Sequence, residues 1–229
     1  TGVNGVGLTG NAEDNVLIGS TQSDSITGGQ GADVLTGGAG ADTLFGGAGN
    51  DIFVMAETAE GGERIDGGST DGNEVNTVMV TATSNLTNLI AFDATFGNDG
   101  LLDVGHINQV TLSGDAADVT FSGDSIDSQA INFSRVGAAD TSDVFINVSA
   151  SSSHDFSALT FASDFRGSGY VGLESGTNII TLEVVSGTAS TGIVGTSITD
   201  VIRGNAGDDT LSGGEGDDTI EGGDGADTI

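Results

Sequence analysis

Large apolar residues recur at a spacing of nine near both ends of this 229-residue chain: Leu17, Ile26, Leu35, Leu44 and Phe53, then Ile202, Leu211, Ile220 and Ile229. Their neighbours are mostly Thr, Ser or Val, so three consecutive positions alternate out, in, out, as a very short half-buried strand does. The six positions before each strand are rich in glycine, which predicts a turn. Turn and strand together form a nine-residue unit that runs in register from Gly28 to Thr36, Gly37 to Phe45 and Gly46 to Val54. Two looser units precede them, from Gly10 and Gly19. A second block starts at Gly195 and continues from Gly204, Gly213 and Gly222. Self-similarity at so short a period predicts a solenoid, whose units bury an apolar face only by stacking.

The residues between the blocks have a different texture. Runs rich in Val, Ile, Thr and Phe predict strands over 75–83, 109–114, 118–123, 130–136, 143–149, 158–162 and 178–185, separated by Gly, Ser, Asn and Asp. Val110 to Asp115 and Val119 to Asp124 are again nine residues apart, which places a continuing solenoid ahead of a β-sandwich for this segment. The fold class is therefore all-β, with a short-period β-solenoid at each end of a β-rich middle. The expected divisions are 1–54, 55–194 and 195–229. The last unit stops at its eighth place, so the second block is expected to be truncated and to continue past Ile229 in a longer protein.

Charge changes the picture most. The chain has 34 acidic residues against four arginines, for a formal net charge of -30. Such a field repels phosphates and anionic lipid surfaces and concentrates cations, so neither nucleic acid nor membrane insertion is expected. Cysteine is absent, which leaves no disulfide and no thiolate ligand. The acids are also placed periodically. The sixth place of the units holds Asn15, Asp24, Asp33, Asp42 and Asp51 in the first block and Asp200, Asp209, Asp218 and Asp227 in the second. One buried apolar side chain per unit falls well short of the entropy of ordering nine backbones. Stacked carboxylates oppose folding further until a divalent cation lies between them. Glycine at places one, two and four allows positive φ and leaves carbonyl oxygens uncovered toward such an ion.

GGQGADVLT, GGAGADTLF, GGAGNDIFV and GGEGDDTIE, with GNAGDDTLS one glycine short, resemble the nonapeptide of the repeats-in-toxin (RTX), or hemolysin-type, calcium-binding family. The resemblance implies a parallel β-roll in which calcium lies between repeats n and n+2. It pairs Asn15 with Asp33, Asp24 with Asp42, Asp33 with Asp51, Asp200 with Asp218, and Asp209 with Asp227, giving about five Ca2+ sites. Carbonyls of the turn glycines would complete them: Gly28, Gly29, Gly31, Gly37, Gly38, Gly40, Gly46, Gly47 and Gly49 in the first block, and Gly204, Gly207, Gly213, Gly214, Gly216, Gly222, Gly223 and Gly225 in the second. Asn15 and the Gly19-Ser20-Thr21-Gln22 turn depart from the pattern, so the first sites are expected to be weak or empty. Arg64 to Gly72 reads as an out-of-phase turn in which Asp66 and Asp71 either bind an ion or lie in a solvated loop.

No HExxH or GxSxG motif and no cysteine nucleophile is present, and His106 and His154 read as surface residues, so no catalytic residue and no enzymatic activity is expected. What the resemblance implies is a calcium-binding structural module of a secreted or cell-surface protein, exported by type I secretion and folded outside by calcium. The Ser-, Thr- and Gly-rich middle resembles surface-layer or adhesin-type proteins. Partners beyond calcium would be other copies of the chain or a cell-surface polysaccharide. Two alternatives stand beside this one: an accessory domain of a secreted protease, lipase or alginate epimerase, and a carbohydrate-binding adhesin module.

Overall fold

The computed structural model describes residues 5–55, 63–68, 74–81, 84–86, 107–113, 119–122, 131–136, 144–148, 153–161, 179–184 and 190–229. Among these residues there is no helix, and every strand pairing given below is parallel. The chain divides into two compact units, Thr1–Ser113 and Gly114–Ile229.

The first unit contains β1 (Gly7–Thr9), β2 (Val16–Ile18), β3 (Ser25–Gln30), β4 (Val34–Thr36), β5 (Thr43–Ala48), β6 (Ile52–Met55), β7 (Arg64–Gly68), β8 (Thr77–Val80), β9 (Ser84–Leu86) and β10 (Gln109–Ser113). Strands alternate between two sheets. One runs β1-β3-β5-β7, and the other carries β2, β4, β6, β8 and β10 side by side. Each strand therefore pairs with the next but one in sequence, as two nine-residue units per turn require.

The register stacks the eighth places directly. Leu8, Ile26, Leu44 and Ile65 form one apolar column, and Leu17, Leu35, Phe53, Val78 and Val110 form the other. A parallel in-register stack puts each such side chain between like neighbours, so Ile26, Leu35, Leu44, Phe53, Ile65, Val78 and Val110 are all fully inaccessible. Leu17 has a column neighbour on one side and is half-buried. Val16 and Ile18, which flank it, are exposed. The expected out, in, out alternation thus holds.

The second unit contains β11 (Val119–Ser122), β12 (Asn132–Val136), β13 (Val144–Val148), β14 (Ser153–Asp155), β15 (Thr160–Phe161), β16 (Ile179–Val184), β17 (Gly192–Val194), β18 (Thr199–Arg203), β19 (Thr210–Ser212) and β20 (Thr219–Glu221). Here β11-β13-β16-β18-β20, β14-β17-β19 and β12-β15 are the parallel runs. Ile202 is buried and its Cα partners in register are Leu182 and Ile220, and Ile193 pairs with Leu211. The strands expected over 109–114, 118–123, 130–136, 143–149, 158–162 and 178–185 all form, to within two residues at each end, and that expected over 75–83 forms over Thr77–Val80. The two runs nine residues apart begin in β10 and β11. Parallel pairing of these middle strands is the solenoid outcome, since a sandwich would join neighbouring strands antiparallel.

Two local details differ from the sequence reading. Strands β3 and β5 do not stop at the ninth place but run on through Gly28-Gly29-Gln30 and Gly46-Gly47-Ala48, because the starts of adjacent turns also pair, Gly29 with Gly47. Positive φ, moreover, falls at places two and four, as at Gly47 (114°) and Gly49 (125°), and not at place one. Glycine is needed at place one for a different reason. A Cβ at Gly28 would come within 3.0 Å of Asp33 Oδ2 and of the Gly46 carbonyl oxygen.

Candidate metal centre

The turns stack in the same register as the strands, and this brings the sixth places together in columns. In each case the backbone N–H of one sixth-place residue donates to the carboxylate of the sixth place 18 residues on. Asn15 N–H donates to Asp33 Oδ1 (2.8 Å), Asp24 N–H to Asp42 Oδ1 (2.8 Å), and Asp33 N–H to Asp51 Oδ1 (2.9 Å). In the second unit Asp200 N–H donates to Asp218 Oδ1 (3.0 Å) and Asp209 N–H to Asp227 Oδ1 (3.0 Å). The residues joined by these hydrogen bonds are the five pairs that the family resemblance implies. A carboxylate that accepts a main-chain N–H in this way fixes one turn on the next and leaves its second oxygen for another partner.

That second oxygen divides the repeats into two kinds. At Asp33, Asp51 and Asp209 it has no hydrogen-bond donor, and the three Oδ2 atoms are buried without a partner. Where place two carries a hydroxyl residue instead of glycine, the turn satisfies its own acid. Ser20 donates to Asp24 from its amide (2.5 Å) and its hydroxyl (3.1 Å), and Thr196 does the same for Asp200 (2.6 and 3.1 Å). The Gly10 turn is closed similarly, by the Asn11 N–H on Asn15 Oδ1 (2.7 Å). The departures at Asn15 and Ser20 therefore have a structural counterpart in side chains that replace what an ion would supply.

Around these carboxylates the turns present main-chain carbonyls. The cradle described at Gly28 recurs with Asp24 Oδ2 and the Gly37 carbonyl at Gly19, with Asp51 Oδ2 and the Gly67 carbonyl at Gly46, and with Asp209 Oδ2 and the Gly222 carbonyl at Gly204. Asp42 Oδ2, Asp218 Oδ2 and Asp227 Oδ2 lie correspondingly against Gly37, Gly213 and Gly222. The positive-φ glycines approach carbonyls of the turn below: Gly29 that of Asn11, Gly38 that of Ser20, Gly47 that of Gly29, Gly49 that of Gly31, Gly214 that of Thr196, Gly223 that of Asn205 and Gly225 that of Gly207. Gly31, Gly40 and Gly216 pack on the backbone of Glu13, Gln22 and Ile198. Gly207 itself adopts φ 128°, and Asn205, where the fifth nonapeptide lacks its glycine, adopts φ 66°.

Among the described residues no three His, Asp or Glu side chains gather round one point. A cation here would be held by one or two carboxylates completed by carbonyls, an all-oxygen donor set suited to a hard ion such as Ca2+. The buried carboxylates of Asp33, Asp51 and Asp209, each with an oxygen lacking a donor and each lined by carbonyls, fit that ion.

The columns continue beyond the aspartates in a way the nine-residue period does not announce. Asp51 N–H donates to Asn76 Oδ1 (2.9 Å), 25 residues on, and Asn76 N–H to Asn108 Oδ1 (3.1 Å), 32 residues on. Both asparagines stand immediately before a strand, at the offset of the aspartates, and that offset was the available signal. Asp66 is buried in β7, with its Oδ1 taking the Gly68 N–H (2.9 Å). His154 falls in β14, while Asp71 and His106 lie outside the described residues.

Electrostatics follows from the stacking. Burial pushes the Asp51 carboxyl up to about 6; the Asp33 N–H opposes this, and the charges of Asp33 and Glu74 add to it. Burial pushes Asp200 up to about 7 against the hydrogen bonds from Thr196, with Asp218 adding to the rise. At Asp24 burial also raises the value, but hydrogen bonds from Ser20 and Val6 outweigh it and hold the carboxyl below its ordinary value.

A stacked parallel β-roll with acid-lined, carbonyl-rich turns is a cation-binding solenoid. The model of the RTX calcium-binding nonapeptide repeat matches this chain in four copies, over residues 9–44, 27–54 and 194–229. Those segments are RTX calcium-binding nonapeptide repeats, which bind Ca2+ as a structural ion. No curated protein matches the chain.

Two outcomes follow. Asp33→Ala is expected to remove more bound calcium than Asp24→Ala, because Asp33 is a buried acid with a donorless oxygen and stands between Asn15 and Asp51, whereas Ser20 already serves Asp24. Calcium titration of each variant reads this, and equal losses would contradict it. The second outcome concerns pH. Asp51 and Asp200 hold protons more tightly folded than unfolded, where an aspartate titrates near ~3.9. Their contribution to the ion-free fold is therefore complete below that value and lost as pH rises through about 6 and about 7. In chelator the chain should retain more β structure at pH 5 than at pH 7.5. In saturating calcium the order should reverse, since the ion requires ionised carboxylates. A chelated chain more stable at pH 7.5 would contradict this.

Proposed function

We propose that this chain is a calcium-folded structural module of a secreted or cell-surface RTX protein, of the surface-layer or adhesin type. It stays loosely structured where calcium is scarce and folds on meeting extracellular calcium, which suits export by type I secretion. The observation that carries the reading is the set of buried Asp33, Asp51 and Asp209 oxygens without a donor, a costly arrangement unless a cation joins it. Lack of cysteine and the net charge of -30 agree with it. In this reading blocks 1–54 and 195–229 are the calcium-dependent parts, 55–194 is the β-rich segment without the calcium consensus, and about five ions are bound through the residues described above. Its partners are other copies of the chain or a cell-surface polysaccharide, and its role is mechanical and adhesive rather than catalytic. Among the described residues no helix is long and apolar enough to cross a membrane.

Circular dichroism of the chain in calcium, in EDTA and in EDTA with magnesium tests the central step. The β signal should develop on adding calcium and be lost in EDTA. Magnesium should not restore it, because it sheds water reluctantly and demands a tighter octahedron than carbonyl-rich turns provide. A full β signal in excess chelator at neutral pH would sink the proposal.

A further inference from the structure

The last consensus turn of the first block, Gly46 to Asp51, is covered by residues of no consensus repeat: Gly67 and Gly68, which end β7, and Glu74 to Asn76, which lead into β8. Three hydrogen bonds dock the latter on the turn. Gly49 N–H donates to Glu74 Oε1 (2.9 Å), Val75 N–H to Asn50 Oδ1 (2.8 Å), and Asp51 N–H to Asn76 Oδ1 (2.9 Å). Counting back from the strand, Asn76 occupies place six and Glu74 place four. The covering turn has thus lost its acid at the usual position and carries one where other turns have glycine.

The rest of the arrangement follows the consensus turns. The Gly67 carbonyl lies against Gly46 beside Asp51 Oδ2, as the Gly46 carbonyl lies against Gly28 beside Asp33 Oδ2. Gly68, at φ 105°, sits over Gly47 as Gly47 sits over Gly29. Asp51 is fully inaccessible, and its Oδ2 has no hydrogen-bond donor. Glu74 Oε2 is likewise buried without one. The Asn76 amide oxygen is already taken by the Asp51 N–H. What stands at this turn is a pair of acids of like sign, each with one committed and one uncommitted oxygen, beside a carbonyl in the position it has at the other turns.

We propose that Asp51 and Glu74, with the Gly67 carbonyl, hold a further divalent cation of the calcium class, in a turn beyond the nonapeptide match that ends at residue 54. Glu74 supplies the charge that Asn76 withholds. Past this turn the column passes to Asn108, whose neutral amide accepts the next N–H without adding charge, so the ion-dependent part of the column ends at Glu74. The inference rests on the calcium reading of the repeats.

The test is a count of bound calcium per chain, with titration calorimetry, on the full 229-residue chain and its variants. Glu74→Gln keeps the shape and the bond from Gly49, and it should lose about one equivalent of calcium or weaken one site at least about tenfold. Adding Asn76→Asp to that variant should restore the ion by returning the acid to place six. Asn76→Asp alone should leave the count unchanged. This arm decides the matter even if Glu74→Gln fails to fold, because a gain of one ion would mean that the native turn held none. Unchanged binding in Glu74→Gln, or a gained ion in Asn76→Asp, overturns the proposal while leaving the repeats' calcium reading intact. A native chain that binds no calcium overturns both.

Discussion

Carboxylates stacked one per turn, each anchored by one oxygen to the main chain of its neighbour, set the conditions for everything else in this structure. The N–H to carboxylate bond that joins Asp33 to Asp51, or Asp209 to Asp227, fixes the spacing of adjacent turns at 18 residues. It also draws acids of like sign into a buried column. The turn-to-turn bond is favourable, whereas the column of charge is not. In the function proposed, a hard divalent ion resolves the conflict by taking the second oxygen and the nearby carbonyls, so that binding free energy becomes folding free energy. Ser20 and Thr196 resolve it locally with an amide and a hydroxyl, and Asn76 and Asn108 avoid it by being neutral.

The apolar columns depend on the same register. Ile26 meets Leu44, and Leu35 meets Phe53, only because their turns align; a slip of one residue would turn every inward side chain to solvent. A core one side chain wide cannot hold the stack by itself, which is why the turns matter so much to stability. The glycines serve the same alignment in two ways. Those at places two and four bend the chain through positive φ, while Gly28 and Gly46 leave room where a Cβ would meet a carboxylate and a carbonyl.

Much of this was legible in the sequence because a solenoid writes its geometry as a period. The eighth-place residues named the core columns, and the family resemblance supplied the sixth-place pairs that hydrogen bonds join. The paired runs at Val110 and Val119 pointed to the parallel middle strands. The remainder was hidden where length varies. Asn76 and Asn108 take up the column after connections of 25 and 32 residues, so no fixed spacing marks them. The hydroxyls of Ser20 and Thr196 read as simple departures from a glycine pattern, and only the folded turn shows them bonded to the acid four residues on. Glu74, likewise, is one acid among 34 until the turn of Gly46 to Asp51 is seen beneath it.

The central claim is that the carboxylate columns need a cation to persist, and amide hydrogen exchange reads it at the bonds concerned. The N–H groups of Asn15, Asp24, Asp33, Asp200 and Asp209 each donate to the carboxylate 18 residues on. With calcium at neutral pH they should be among the slowest to exchange in their blocks. In chelator they should exchange at nearly the rates of an unfolded chain. Equal protection of these amides with and without calcium would contradict the account.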